Sequence, residues 1–259
     1  MGYSDLIDYH VLPIARAQRL ADGNYSRPEW VGTGFTFGEG TFVTCWHCVG
    51  ANLAGDEVYF AAGRERGNQQ SLRTWPIELR QLARDVNGTD LALARIDPWF
   101  LPRLALAADP LQWGDDVVAL GFPHTLDATD ADTGDKRIET HARVFKGYVT
   151  RLFYDDYQRQ PVVELNIPAP VGMSGGPLFN AQQPLVRGGP PLDQLECYGV
   201  IFGEHSLHTP DGIHRYGTAL RLDALRNASG PATDGLPLAQ YLERPDAKAP
   251  APGHTAPSE

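Results

Sequence analysis

Glycine and proline punctuate this chain throughout, 27 of the first and 21 of the second. Glycine supplies the tight and left-handed conformations of turns, and proline interrupts helix interiors and central strands alike. Dispersed in this way, they favour many short strands joined by turns over long helices. A first set of strand-like runs covers 10–19, 31–37 (VGTGFTF), 41–45 (TFVTC), 57–62 (EVYFAA), 75–82 (WPIELRQL) and 90–97 (DLALARID). A second covers 115–122 (DDVVALGF), 142–154, 161–167 (PVVELNI), 197–203 (CYGVIFG) and 214–222. Residues 222–228 and 237–244 read as short helices.

The expected fold class is all-β, in two halves of similar size at 10–100 and 114–228. A proline-bearing linker at 101–113 divides them, and a C-terminal segment at 229–259 follows. The last stretch, RPDAKAPAPGHTAPSE, is polar and rich in proline and alanine, and is expected to be disordered.

A hydrophobic fraction of 42% is enough for a core, while the net charge of −10 argues against nucleic acid and anionic membrane surfaces as partners. No apolar run approaches the roughly 20 residues needed to span a bilayer. The N-terminal residues carry acids before any base and no apolar core of a secretory signal. Three cysteines cannot all pair within one chain, so a reducing, cytoplasmic location is expected.

Two stretches carry chemistry. In VGMSGGPLF (171–179), Ser174 is flanked by Gly172, Gly175 and Gly176. Small neighbours let backbone N–H groups converge on one point and let a substrate approach, the requirement for stabilising an oxyanion. A serine hydroxyl is a weak nucleophile until a base takes its proton. His47 in VTCWHCVG (43–50) is the candidate base, at the end of a strand. Asp90, opening DLALARID, is the candidate orienting carboxylate; Asp85 is its nearest rival but lacks the apolar run directly after it.

GTGF, TCWHCV, TDLALARI, LGFP and GMSGGPL, in this order, resemble the chymotrypsin/trypsin-like serine peptidases, most of all the compact bacterial forms. The resemblance covers roughly residues 10–226. It implies two packed six-stranded antiparallel β-barrels, with a short C-terminal helix and the site in the cleft between them. It implies a serine endopeptidase working through an acyl-enzyme, with His47 as base and acid, Asp90 orienting it and Ser174 as nucleophile. The implied oxyanion hole is the N–H groups of Gly172 and Ser174. Pro168 and Ala169 would lie at the base of the primary substrate pocket, with Phe202, Gly203 and Glu204 on its wall. An uncharged base suggests an apolar or small P1 residue; Glu204 pulls toward a basic one. No cofactor is implied, and the partner is a protein or peptide substrate.

The departures are informative. Many secreted relatives have an aspartate before the serine that pairs with a new N-terminus after zymogen cleavage. Met173 stands there, so that route of activation is not expected. Cys48 matches a disulfide cysteine of those relatives, but its partner would fall near Thr33–Gly34, where there is none. Phe202 replaces a serine that supports the buried aspartate, which leaves Asp90 in need of another donor.

Other readings are weaker. Cys45-x-x-Cys48 invites zinc or redox chemistry, but zinc takes four ligands, and beyond Cys197 and a histidine no second ligand pair has matching spacing. No metal is expected, and the cysteines are read as packing. The acidic stretch 125–135 fails the EF-hand register, because setting Gly134 at the sixth position puts Thr129, Ala131 and Thr133 at the ligand positions. GMSGG also fits the elbow of α/β-hydrolases, with Asp193 or Asp211 and His205, His208 or His214 to follow, but GGPLF is a poor helix start. A non-catalytic peptide-binding module and a small-ester hydrolase are the alternative functions. An always-active cytosolic peptidase would be hazardous, so gating is expected, with a regulatory protein partner as one means.

Overall fold

A computed structural model describes residues 10–22, 26, 28–37, 41–50, 53, 55–65, 68–76, 88–95, 104–129, 136–181 and 195–243. Asp85, the loop at 130–135 and the C-terminal tail lie outside them.

The first sheet holds β1 (Val11–Gln18), β2 (Glu29–Phe37), β3 (Thr41–Thr44), β4 (Glu57–Glu65), β5 (Asn68–Pro76) and β6 (Ala92–Arg95), in the order β5-β4-β1-β2-β3-β6. Every pairing in it is antiparallel. The second sheet holds β7 (Ala105–Leu106), β8 (Asp116–Thr129), β9 (Lys136–Asp155), β10 (Gln160–Leu165), β11 (Pro177–Asn180), β12 (Glu196–Thr209) and β13 (Gly212–Arg221). Its order is β11-β8-β9-β10-β13-β12-β7, and β11 also pairs with β12, which closes six strands into a ring. The fold is the expected double β-barrel.

Three features differ from the sequence reading. β7, within the expected linker, pairs in parallel with β12 and ties that segment to the second barrel. Residues 222–228 form turns, while α2 (Leu238–Glu243) is the short C-terminal helix. The hairpins β8–β9 and β12–β13 run several residues beyond the apolar runs that announced them. Their outer halves carry polar residues such as His205, Ser206 and His208, which leave no hydrophobic alternation to read.

Packing holds the barrels together. One core cluster joins Phe35, Phe42 and Leu93 of the first barrel to Leu120, Phe179 and Leu220 of the second, and to Leu238 and Leu242 of α2. Thr33 supplies the polar counterpart at the seam. Its N–H donates to Ser174 O at 2.8 Å and its Oγ1 donates to Gly172 O at 2.6 Å. It also accepts from Phe122 N at 3.0 Å and, through its carbonyl, from Thr44 Oγ1 at 2.7 Å. Two of the four bonds at this buried residue fix the serine turn against the first barrel, and the others tie it to Phe122 and Thr44. Among the described residues no helix is long and apolar enough to cross a membrane.

Candidate active site

His47 is presented by a structural detail the sequence did not announce. β3 ends at Thr44, and α1 (Trp46–Val49) is a single helical turn that begins after Cys45. Its backbone is pinned to Asp90 at two points. His47 N donates to Asp90 Oδ1 at 2.9 Å, and Trp46 N donates to Asp90 O at 3.3 Å. The ring follows: His47 Nδ1 lies 2.6 Å from Asp90 Oδ2. Asp90 precedes β6, whose Ala92–Arg95 pairs with β3, so neighbouring strands bring the two residues together.

The Asp90 carboxylate, and after it the Cys48 thiol, raise the pKa of His47 well above its ordinary 6.5, against the opposing effect of burial. A carboxylate stabilises the imidazolium, which is the form a base becomes on taking a proton.

Asp90 also has a support that sequence reasoning missed. Its N–H donates to Gln160 Oε1 at 2.9 Å, and Gln160 Nε2 donates to Gln158 Oε1 at 2.5 Å. Gln160 is fully buried at the start of β10. A glutamine amid the polar stretch YDDYQRQ carries no signal of its own; only the β9–β10 hairpin carries it to the first barrel.

Ser174 lies on the turn between β10 and β11. Gly172 has φ +94° and Gly175 has φ +88°, the left-handed region that glycine tolerates. A side chain at 175 would collide with Thr33 O at 1.8 Å. The turn is closed by Met173 N to Pro170 O and Gly176 N to Met173 O, while Gly175 N donates to Ile201 O. The N–H groups of Gly172 and Ser174 have no acceptor among the described residues. Met173 is fully buried in the second-barrel core, in keeping with an apolar residue where an ion pair would need a charge.

The two halves of the site meet through Cys48, whose Sγ donates to Ser174 O at 3.6 Å. The serine hydroxyl itself donates to Phe202 O at 3.4 Å. Among the described residues it has no hydrogen bond to His47. All three cysteines are free. The backbone position facing Cys48 is Gly32, where an added Cβ would come within 2.6 Å of Sγ, rather than the expected Thr33–Gly34.

The expected pocket residues divide. Ala169, Phe202, Gly203 and Glu204 are half-buried near the serine turn, whereas Pro168 is exposed. Glu204 is tied down: its Oε2 accepts from Ala169 N at 3.1 Å and its Oε1 from Arg215 at 3.3 Å. Its charge is therefore already matched. The histidines of the α/β-hydrolase alternative lie on the β12–β13 hairpin, where His205 pairs with Glu164 and His214 bonds Thr209. No helix follows Ser174; Pro177 begins β11 instead.

Residues 32–186, more than half of the chain, match the family model of the trypsin-like peptidase domain. The chain belongs to this family of serine endopeptidases. Its fold is similar to that of the active form of the Rv3671c protease from M. tuberculosis, at 19% identity and TM-score 0.53, over 84% of this chain and 78% of that one. It is also similar to Deg5, at 16% identity and TM-score 0.53, over 85% and 87% of the two chains. The MamO protease domain from Magnetospirillum magneticum gives 16% identity and TM-score 0.51, over 85% and 96%. No curated protein sequence matches the chain.

Proposed function

We propose that this chain hydrolyses peptide bonds through an acyl-enzyme, with Ser174 as nucleophile, His47 as base and then acid, and Asp90 orienting the ring. The observation that carries the proposal is the two-point hold of Asp90 on His47, through the backbone N–H and through Nδ1. That hold fixes the tautomer with Nδ1 protonated and leaves Nε2 to take a proton. Ser174 Oγ turns from Phe202 O toward Nε2, loses its proton and attacks the substrate carbonyl. The N–H groups of Gly172 and Ser174 receive the oxyanion. His47 returns the proton to the leaving amine, and water then releases the acyl group.

The substrate is a protein or peptide. With its Glu204 carboxylate engaged by Ala169 and Arg215, the pocket favours a small or apolar P1 side chain over a basic one.

The serine hydroxyl bonded to Phe202 O favours gating, with a resting site that a partner or substrate completes. A regulatory protein that rotates this hydroxyl toward His47 would act as the activator.

The test is labelling of the purified chain by a fluorophosphonate, beside Ser174→Ala. Labelling of the parent alone supports the triad. Labelling of both, or of neither even with cell extract and peptide ligands present, overturns it. Equal rates with and without extract would remove the gating.

A further inference from the structure

We propose that Cys45, His47 and Asp90 bind a zinc ion that switches the peptidase off. The inhibitory consequence rests on His47 being the base proposed above; the binding does not.

One ligand atom from each of Cys45, His47 and Asp90 lies within 4.8 Å of the other two. In a tetrahedral zinc site, with Zn–S about 2.3 Å and Zn–N about 2.0 Å, neighbouring ligand atoms stand about 3.5 Å apart. The cluster needs to contract by little more than 1 Å by that measure. Asp90 Oδ2 and His47 Nδ1, now 2.6 Å apart, open by about 1 Å to admit the ion, and Cys45 approaches, moving its Sγ off Ile201 O, to which it now donates at 3.1 Å.

Cys48 follows His47 in the same helical turn but stands outside the three residues whose ligand atoms lie within 4.8 Å of one another, and its Sγ donates to Ser174 O at 3.6 Å. A water molecule would complete the tetrahedral set. Cys197 is not part of the set; it is buried elsewhere and donates to Gly199 O.

Sulfur, nitrogen and oxygen donors together suit borderline-soft zinc, whereas magnesium and calcium take oxygen ligands. On binding, the Cys45 thiol releases its proton and Zn²⁺ accepts the electron pairs, with no change of oxidation state. The effect on the proposed base is specific. Histidine coordinated through Nδ1 carries its remaining proton on Nε2. The lone pair that would take the proton of Ser174 is then gone, and Asp90 is diverted from orienting the ring to holding the metal. The sequence reading looked for four ligands along the chain and found CxxC without a second pair. Here one cysteine of that pair, Cys45, is joined by His47 from between the two and by Asp90 through the β3–β6 pairing.

The experiment uses the full chain kept reduced, with cobalt(II) and zinc(II) chlorides as probes. Cobalt added to Ser174→Ala should give an intense near-ultraviolet thiolate-to-cobalt absorption that stoichiometric zinc abolishes. In the parent, zinc should block fluorophosphonate labelling, and a chelator should restore it. Cys45→Ser should raise the zinc concentration needed for half-inhibition at least tenfold, measured against that variant's own labelling rate without metal. Absence of the cobalt band in the parent and in Ser174→Ala, or zinc inhibition and cobalt band both unchanged in Cys45→Ser, overturns the site. If the band appears but the parent never labels, the metal site stands and the triad fails.

Discussion

Asp90 of the first barrel is held by Gln160 of the second: its backbone N–H donates to Gln160 Oε1 at 2.9 Å, and Gln160 is fully buried. The bond couples the placement of the acid to the docking of the two barrels. Gln160→Ala leaves a partly buried N–H without an acceptor, at a cost of about 1–3 kcal/mol. A residue that acts only through stability would lower the urea midpoint and leave the labelling rate of the folded protein intact. A positioning residue changes that rate too. Gln160→Ala should slow fluorophosphonate labelling about tenfold under conditions where circular dichroism shows it folded. Gln160→Glu, which keeps the acceptor, should recover most of the loss.

The second prediction concerns pH. Asp90 raises the pKa of His47, so labelling, which needs the neutral ring, should rise with pH through a midpoint above 6.5. In Asp90→Asn the raising charge is gone, and the midpoint should fall toward the ordinary value. The rate at the plateau should fall by about 10⁴-fold, because an amide holds the wrong tautomer. The same pair bears on stability. A histidine whose folded pKa is raised contributes stability that is complete below pH 6.5 and is lost as pH rises through the folded value. Alkaline titration of urea midpoints should show this loss in the parent and not in Asp90→Asn.

These two residues mark what was legible in the sequence. His47, Asp90 and Ser174 became candidates because each stands beside a local signal: a strand end, an apolar strand, a run of glycines. The all-β class in two halves was legible for the same reason, since turns and alternation are local signals, whereas the double barrel was implied by the resemblance to the trypsin-like peptidases. Gln160 and Thr33 were not, because each acts through a partner 70 or more residues away, reached only by barrel docking. Thr33 was noted only as the place where a disulfide cysteine was missing. It instead carries four hydrogen bonds, two of which fasten the serine turn. Cys48, the other half of that comparison, contacts Ser174 O directly. No motif announces either contact, because both cross from one barrel to the other.

Glu204 decides specificity in the third prediction. Its carboxylate is bound to Ala169 N and Arg215, and its position opposite Gly217 on β13 places it across the strip of backbone beside Ala169. Held there, the side chain would narrow the proposed pocket and would not offer its carboxylate to lysine or arginine. Peptidyl phosphonates with alanine or valine at P1 should label the parent faster than those with lysine. Glu204→Gly opens the space, and phenylalanine at P1 should gain at least tenfold relative to alanine. A parent that prefers lysine would show that the carboxylate leaves Arg215 for the substrate.

His10 makes the fold acid-sensitive. It is 1% exposed, its Nδ1 lies 3.0 Å from Thr36 Oγ1, and its Nε2 is buried with no hydrogen-bond partner among the described residues. Burial lowers its pKa from 6.5 to about 4. The folded protein therefore refuses a proton that the unfolded chain accepts. Above pH 6.5 both states are neutral at His10 and nothing is lost. As pH falls from 6.5 toward 4 the unfolded state gains protons and the folded state does not, so stability drops, by about 3 kcal/mol in all. His10→Phe cannot titrate. Urea denaturation of parent and variant at pH 7.5, 5.5 and 4.5 checks this. The parent should lose stability faster than the variant on acidification, with the gap widening at each step. Parallel losses would place the acid sensitivity in other groups.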